Sequence, residues 1–201
     1  ETGTLASNIT MSGGTLDADE TLTLSGPLTQ SGNITIDVAE NKTLSYSGAA
    51  VNLRANTLTM SGKGTFNNTN ALRLSNASSK LLLSNTTTVG SVSTISVNNS
   101  GIDVDQSSTI TSLSVGHITP LSIAAGKTLS GAVTVTGGSI KLGKTGTLAS
   151  NITMSGGTLD ADESLTLSGA LTQSGNITID VAEDKTLSYS GAAVNLGART
   201  L

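Results

Sequence analysis

Asn33-Ile34-Thr35-Ile36-Asp37-Val38-Ala39-Glu40-Asn41-Lys42-Thr43-Leu44-Ser45-Tyr46-Ser47-Gly48 contains two short alternating runs, Ile-Thr-Ile and Leu-Ser-Tyr, each followed by corner residues. Apolar and small polar residues alternating with period two mark a strand with one buried face. Asn and Gly after such runs supply the positive φ that sharp corners need. The same rhythm returns at Ile9-Thr10-Met11, Leu22-Thr23-Leu24, Leu58-Thr59-Met60, Leu72-Arg73-Leu74, Ile95-Ser96-Val97, Val133-Thr134-Val135 and Ile140-Lys141-Leu142. No segment sustains apolar spacing at i, i+3, i+4 and i+7, and the Ser, Thr and Gly content would weaken any helix.

Two nested periods organise these runs. Asn8-Ile9-Thr10 recurs as Asn33-Ile34-Thr35, and Thr21-Leu22-Thr23-Leu24-Ser25-Gly26 is answered by Thr43-Leu44-Ser45-Tyr46-Ser47-Gly48. A unit of about 22–25 residues carrying several short strands suits one coil of a parallel β-solenoid. Strands of successive coils then pair about 4.8 Å apart along the axis, so the chain would form eight or nine coils in a rod of roughly 40 Å. Above this lies a 143-residue repeat: Thr2–Leu58 returns as Thr145–Leu201 with only Thr21/Ser164, Pro27/Ala170, Asn41/Asp184, Arg54/Gly197 and Asn56/Arg199 differing. The expectation is one continuous solenoid over 1–201, cut from a longer array, with the two copies superimposable. Leu22, Leu24, Ile34, Ile36, Leu44, Tyr46, Leu58 and Met60 should face inward, with Thr23 and Thr35 outward, because a one-residue slip would turn the whole apolar set to solvent. An antiparallel sandwich also reads as short strands and turns, but it lacks this self-similarity and normally carries core aromatics. The stretch from Thr86 to Thr119, dense in Ser and Thr, is expected to form longer loops or irregular coils.

Composition agrees with a narrow aliphatic core. The 201 residues include no Cys, no Trp, one Phe and two Tyr, and only 12% are charged. Thr and Ser are the two commonest residue types, and Gly occurs 23 times. Disordered chains combine few aliphatic residues with high net charge; here the aliphatic residues alternate in register and the net charge is −4. Lack of Cys excludes disulfide staples and thiolate metal sites. Mild acidity without a Lys/Arg cluster argues against nucleic acid as a partner. No apolar run approaches the roughly 20 residues of a membrane-spanning helix.

The phrases Asn33-Ile-Thr-Ile-Asp-Val-Ala-Glu-Asn-Lys-Thr-Leu and Ala124-Ala-Gly-Lys-Thr-Leu-Ser-Gly resemble the passenger repeats of bacterial autotransporters and filamentous-haemagglutinin-type adhesins. The likeness is one of idiom spread along the chain. It implies a right-handed parallel β-helix on a secreted or surface-anchored protein, used for adhesion or as a stalk. The functional expectation is therefore the shaft of an extracellular fibre or giant cell-surface adhesin, with no enzymatic activity. Its partners would be further copies of the repeat, with surface glycans as candidates. The alternatives are a β-helix polysaccharide-active enzyme and an ice-binding or other surface-binding solenoid.

Candidate chemistry is sparse. His117 is the sole histidine, without the Cys or second imidazole of a zinc site, and a loop position is expected for it. Asp17, Asp19 and Glu20, with their copies Asp160, Asp162 and Glu163, are hard-oxygen candidates for Ca²⁺, as are Asp37 with Glu40 and Asp103 with Asp105. Neither the EF-hand nor the nonapeptide calcium pattern occurs, and solvated corners that keep a rod soluble are the plainer reading. No cofactor is expected beyond this. Thr-x-Thr pairs at Thr21/Thr23, Thr57/Thr59 and Thr134/Thr136 suggest an ice-binding ladder, but Arg73, Leu82 and Lys141 at matching positions break it. Asn-x-Ser/Thr triplets at Asn8, Asn33, Asn41, Asn67, Asn76, Asn85, Asn98, Asn151 and Asn176 are candidate glycosylation sites. Several sit on the repeated Asn-Ile-Thr strand start, which coil geometry alone could demand.

Overall fold

A computed structural model describes residues 2–68, 70–74, 76–84, 88–90, 94–194 and 200, with backbone alone at 68, 71, 88–90, 94–100 and 117–119. The described chain is a parallel β-solenoid with three strands per coil. The first coil holds β1 (Gly3–Leu5), β2 (Ile9–Met11) and β3 (Thr15–Ala18), and the second β4 (Leu22–Leu24), β5 (Leu28–Gln30) and β6 (Ile34–Val38). Then come β7 (Thr43–Tyr46), β8 (Val51–Asn52) and β9 (Thr57–Gly62), followed by β10 (Thr65–Asn68), β11 (Ala71–Leu74) and β12 (Lys80–Leu83). Four longer or transitional strands follow: β13 (Thr88–Gly90), β14 (Thr94–Val104), β15 (Ser108–Ile123) and β16 (Thr128–Val135). After β17 (Ser139–Gly143), the duplicated end comprises β18 (Thr147–Leu148), β19 (Asn151–Met154), β20 (Gly157–Ala161), β21 (Leu165–Leu167), β22 (Leu171–Gln173), β23 (Ile177–Val181) and β24 (Leu187–Tyr189).

Apart from β5, which pairs with β2 but not with β8, each strand inside the stack pairs in parallel with its counterpart one coil on. One face runs Leu22↔Leu44, Leu44↔Phe66, Phe66↔Val89 and Val89↔Ile110. A second runs Val51↔Leu72, Leu72↔Ile95, Ile95↔Leu113, Leu113↔Val133 and Val133↔Ile152. The third runs Ile36↔Met60, Met60↔Leu83, Leu83↔Val104 and Val104↔Ile123. Apolar positions thereby stack on apolar positions, and a single core fills the axis from Ala18 to Ile177. Of the residues expected inside, Leu24, Ile34, Ile36, Leu44, Tyr46, Leu58 and Met60 are buried. Leu22 is half-buried because it lies near the end of the stack, and its copy Leu165 is buried. Coil length varies along the rod: partners are closest in sequence at pairs such as Ile95↔Leu113 and farthest apart at pairs such as Ile36↔Met60. The shorter coils fall below the spacing read from the repeated phrases.

The 86–119 stretch corrects the expectation of longer loops. Apart from 86–87 and 91–93, which lie outside the described residues, it is mostly strand: β14 and β15 bend around the corners without breaking. Register shifts at Val97/Asn98, Asn98/Ser100 and Ile110/Leu113 mark those bends, as bulges do when an extra residue turns a strand.

From β1 to β7 the two copies share strand boundaries to within a residue, and they share registers: Leu22↔Leu44 matches Leu165↔Leu187, and Thr15↔Thr35 matches Thr158↔Thr178. Four of the five differences have a local reason. The Thr21 hydroxyl accepts a hydrogen bond from Thr43 N at 3.4 Å, and the Ser164 hydroxyl accepts one from Thr186 N at 3.0 Å. Pro27 needs only its carbonyl, which accepts from Ile9 N at 2.8 Å, as Ala170 does from Ile152 N at 2.7 Å. Asn41 and Asp184 both hold a left-handed corner, at φ 62° and 58°, which these two side chains tolerate. Arg54 sits at φ 53°, a strained conformation for which the glycine of its copy is the better residue. Arg199, the counterpart of Asn56, lies outside the described residues.

Candidate functional site

Three polar devices link neighbouring coils within the duplicated segments. Tyr46 is buried, and its hydroxyl accepts from Leu28 N at 3.0 Å and donates to Ala49 O at 2.6 Å. Tyr189 repeats the clamp, accepting from Leu171 N at 3.1 Å and donating to Ala192 O. The Asn33 side-chain carbonyl accepts from Thr57 N at 2.8 Å, and that of its copy Asn176 accepts from Thr200 N at 3.2 Å. Gln30, buried in a column with Met11, donates from Nε2 to Thr57 O at 2.8 Å. None of these roles follows from the alternation pattern. The recurring Asn-Ile-Thr phrase was their one visible trace.

Charged side chains, some at corners and some within strands, also pair between coils. Lys42 Nζ lies 2.7 Å from Glu20, and its copy Lys185 lies 2.7 Å from Glu163. Lys141 meets Asp162 at 2.7 Å, Lys80 meets Asp103 at 2.5 Å, and Lys144 meets Asp105 at 3.5 Å. Asp17 stacks directly on Asp37, and Asp160 on Asp180, while the Asp37 carboxylate is capped by the Ser61 hydroxyl. Among the described residues, no three His, Cys, Asp or Glu side chains gather as a metal cluster. The calcium candidates Glu20, Asp162 and Glu163 are each directed to a lysine instead.

The hydrogen bond and charge of Lys42 hold the Glu20 carboxyl below its ordinary value of 4.5. A depressed carboxylate stabilises the fold above its unfolded value and loses that contribution as pH falls through the lowered one. The hydrogen bond that Lys141 donates to Asp162, with the charges of Asp162 and Asp160, outweighs desolvation and raises the ammonium above 10.5. Its contribution is complete below 10.5 and is lost as pH rises through the raised value. Glu20→Gln should therefore lower the urea midpoint slightly at pH 7 and leave it unchanged near pH 2, measured by circular dichroism. Being exposed, the pair is expected to be a small effect. A midpoint difference that persists at pH 2 would show that packing, not charge, ties Glu20 to Lys42.

The remaining candidates are dispersed. His117 lies within β15, opposite Asn98 at a register shift, rather than in a loop. Asn8, Asn33, Asn41, Asn76, Asn151 and Asn176 are exposed and Asn67 is half-buried; Asn98 has only its backbone described, and Asn85 lies outside the described residues. The threonine ladder stops where Thr59 meets Leu82, and Lys141 stacks on Asp160. A shallow groove of about 420 Å³ crosses several coils, lined by Ser78, Lys80, Asp103, Ser122 and Lys144, with its lysines matched by Asp103 and Asp105. Among the described residues no helix is long and apolar enough to cross a membrane. No family model, curated protein or solved structure significantly matches the chain. Fold and geometry together make it a β-solenoid repeat protein.

Proposed function

We propose that the chain is part of the structural shaft of an extracellular fibre or giant cell-surface adhesin, without catalytic activity of its own. The observation supporting this most directly is the duplication itself. At a period of 143 residues Thr2–Leu58 returns as Thr145–Leu201, with matching strands where both copies are described, the same Tyr clamp and the same Lys–Glu pair, and backbone ladders link the two copies. In a solenoid each coil touches only its neighbours, so length can be added without redesigning the core. Ladders of backbone hydrogen bonds directed along the axis then stiffen the whole rod. Resemblance to autotransporter and filamentous-haemagglutinin-type repeats agrees with this reading, and surface glycans are the partners it suggests.

Seven pairings separate β4 from its copy β21, which at about 4.8 Å each gives an axial repeat of roughly 34 Å. Immuno-electron microscopy of the native source with antibody against Thr2–Leu58 should show thin surface filaments of uniform width, labelled along their length. Label confined to a compact intracellular protein would overturn the proposal.

A further inference from the structure

Charge is distributed unevenly around the rod. Every lysine, and every Asp and Glu from Asp17 onward, lies in a strand of the third face or at the corner that follows it. Carboxylates outnumber lysines along that edge, and six of the lysines are already paired with carboxylates there. What remains includes two like-charged stacks, Asp17 on Asp37 and Asp160 on Asp180. Like charges directly opposite one another in a sheet repel, yet both copies of the duplication keep them.

The arginines lie elsewhere. Arg54 stands at the corner between β8 and β9, and Arg73 within β11 on the second face; Arg199 is outside the described residues. Arg54 and Arg73 are exposed, and among the described residues neither guanidinium has an ion pair. The strands of the second face carry no carboxylate: Thr10 and Thr29, Asn52 and Arg73, and Thr134 and Thr153 stack along its outer side. Among the described residues the ladder of this face opens between β5 and β8, where Thr29, Asn52 and Arg54 help to line a polar cleft of about 90 Å³. At roughly 30 Å³ per water that is the room of about three waters, enough for a carboxylate group. Arg54 also holds φ 53° where its copy is Gly197, so the fold does not call for an arginine at this corner. Strained residues of this kind persist where the side chain is used.

We propose that the second face, at Arg54 and Arg73, is a lateral docking surface whose occupant is the acidic edge of a second copy of this chain. Arg54 and Arg73 sit on neighbouring coils, as do Asp17 with Asp37 and Asp160 with Asp180. Two guanidiniums and two carboxylates therefore share an axial spacing of about 4.8 Å. One carboxylate enters the cleft beside Arg54 and the next meets Arg73, in charge-assisted hydrogen bonds that relieve the repulsion within the stack. The contact joins unlike edges, so each rod of a pair keeps its other edge free and association is open-ended, side by side. The inference rests on where the charges lie and not on the shaft reading: surface filaments that never pair, or rods that pair without forming a shaft, would separate the two.

Sedimentation velocity and small-angle X-ray scattering of the full chain, up to about 1 mM, should show weak self-association at low salt, with a growing cross-section. Salt screens exposed charges, so the association should weaken about tenfold or more between roughly 0.02 and 0.5 M NaCl. A chain carrying Arg54→Gly and Arg73→Thr keeps only the acidic edge. One carrying Asp17→Asn, Asp37→Asn, Asp160→Asn and Asp180→Asn keeps only the arginine face. Each alone should lose the side-by-side growth, and an equimolar mixture should regain it as pairs. Urea midpoints no lower than that of the parent chain would show both variants folded. Association that ignores salt or the arginine substitutions, association that only lengthens the rod, or a mixture that stays monomeric would overturn the proposal. So would a parent chain that stays monomeric at every salt concentration, including one whose arginines instead bind an acidic polysaccharide such as polygalacturonate.

Discussion

Replacing Leu81 by alanine is expected to lower stability by about 2–5 kcal/mol, the range for truncating a fully buried leucine. Leu81 is 0% exposed and stacked between Leu58 and Ile102 in the third face. The core is built from columns of side chains contributed by three faces and fixed by the backbone ladders, which limits how far neighbours can relax into the cavity. Because each coil is stabilised by its two neighbours, the damage should also uncouple the rod on either side. Urea unfolding followed by circular dichroism should therefore show a lower midpoint and a broadened or two-step transition. A loss below about 1 kcal/mol with an unchanged slope would mean that Leu81 is not a member of the stacked column.

Tyr46→Phe should cost about 1–3 kcal/mol, since it leaves a buried Leu28 N–H without its acceptor and Ala49 O without its donor. The duplication supplies the control. Tyr189 makes the same two hydrogen bonds at the exposed end of the stack, where water can replace them, so Tyr189→Phe should cost well under half as much. Urea midpoints of the two variants, measured side by side, check this. Equal losses would show that burial is not what gives the clamp its strength.

Much of the candidate chemistry was legible as residue types and illegible as geometry. The acidic phrases Asp17-Ala18-Asp19-Glu20 and Asp160-Ala161-Asp162-Glu163 suggested calcium ligands, yet in the fold Glu20, Asp162 and Glu163 turn to lysines on the adjacent coil. His117 lacked any local signal for a strand, because the bulge that accommodates it depends on the register of β14 against β15. The Asn-x-Thr triplets at Asn33, Asn151 and Asn176 gave a compositional signal for glycans. Their side-chain carbonyls accept backbone N–H groups from the neighbouring coil, which gives the recurrence a structural cause whatever the amide nitrogens carry.

By itself the sequence determined that the chain is built of short strands, which side chains face the axis, and that the segment Thr2–Leu58 is used twice. Those follow from local physics: a strand alternates its faces with period two, and identical sequences in like surroundings adopt like coils. The tertiary structure alone decided the length of each coil, the bending of β14 and β15 through corners, and the left-handed conformation at Arg54. It also decided that Gln30 is buried, a position its polarity argues against until Thr57 O arrives from the next coil to accept its hydrogen bond. The reason is common to all of these. In a parallel solenoid most partners of polar groups lie about one coil away along the chain, so satisfaction of hydrogen bonds depends on how the corners set the register, and alternation within a strand carries no information about that.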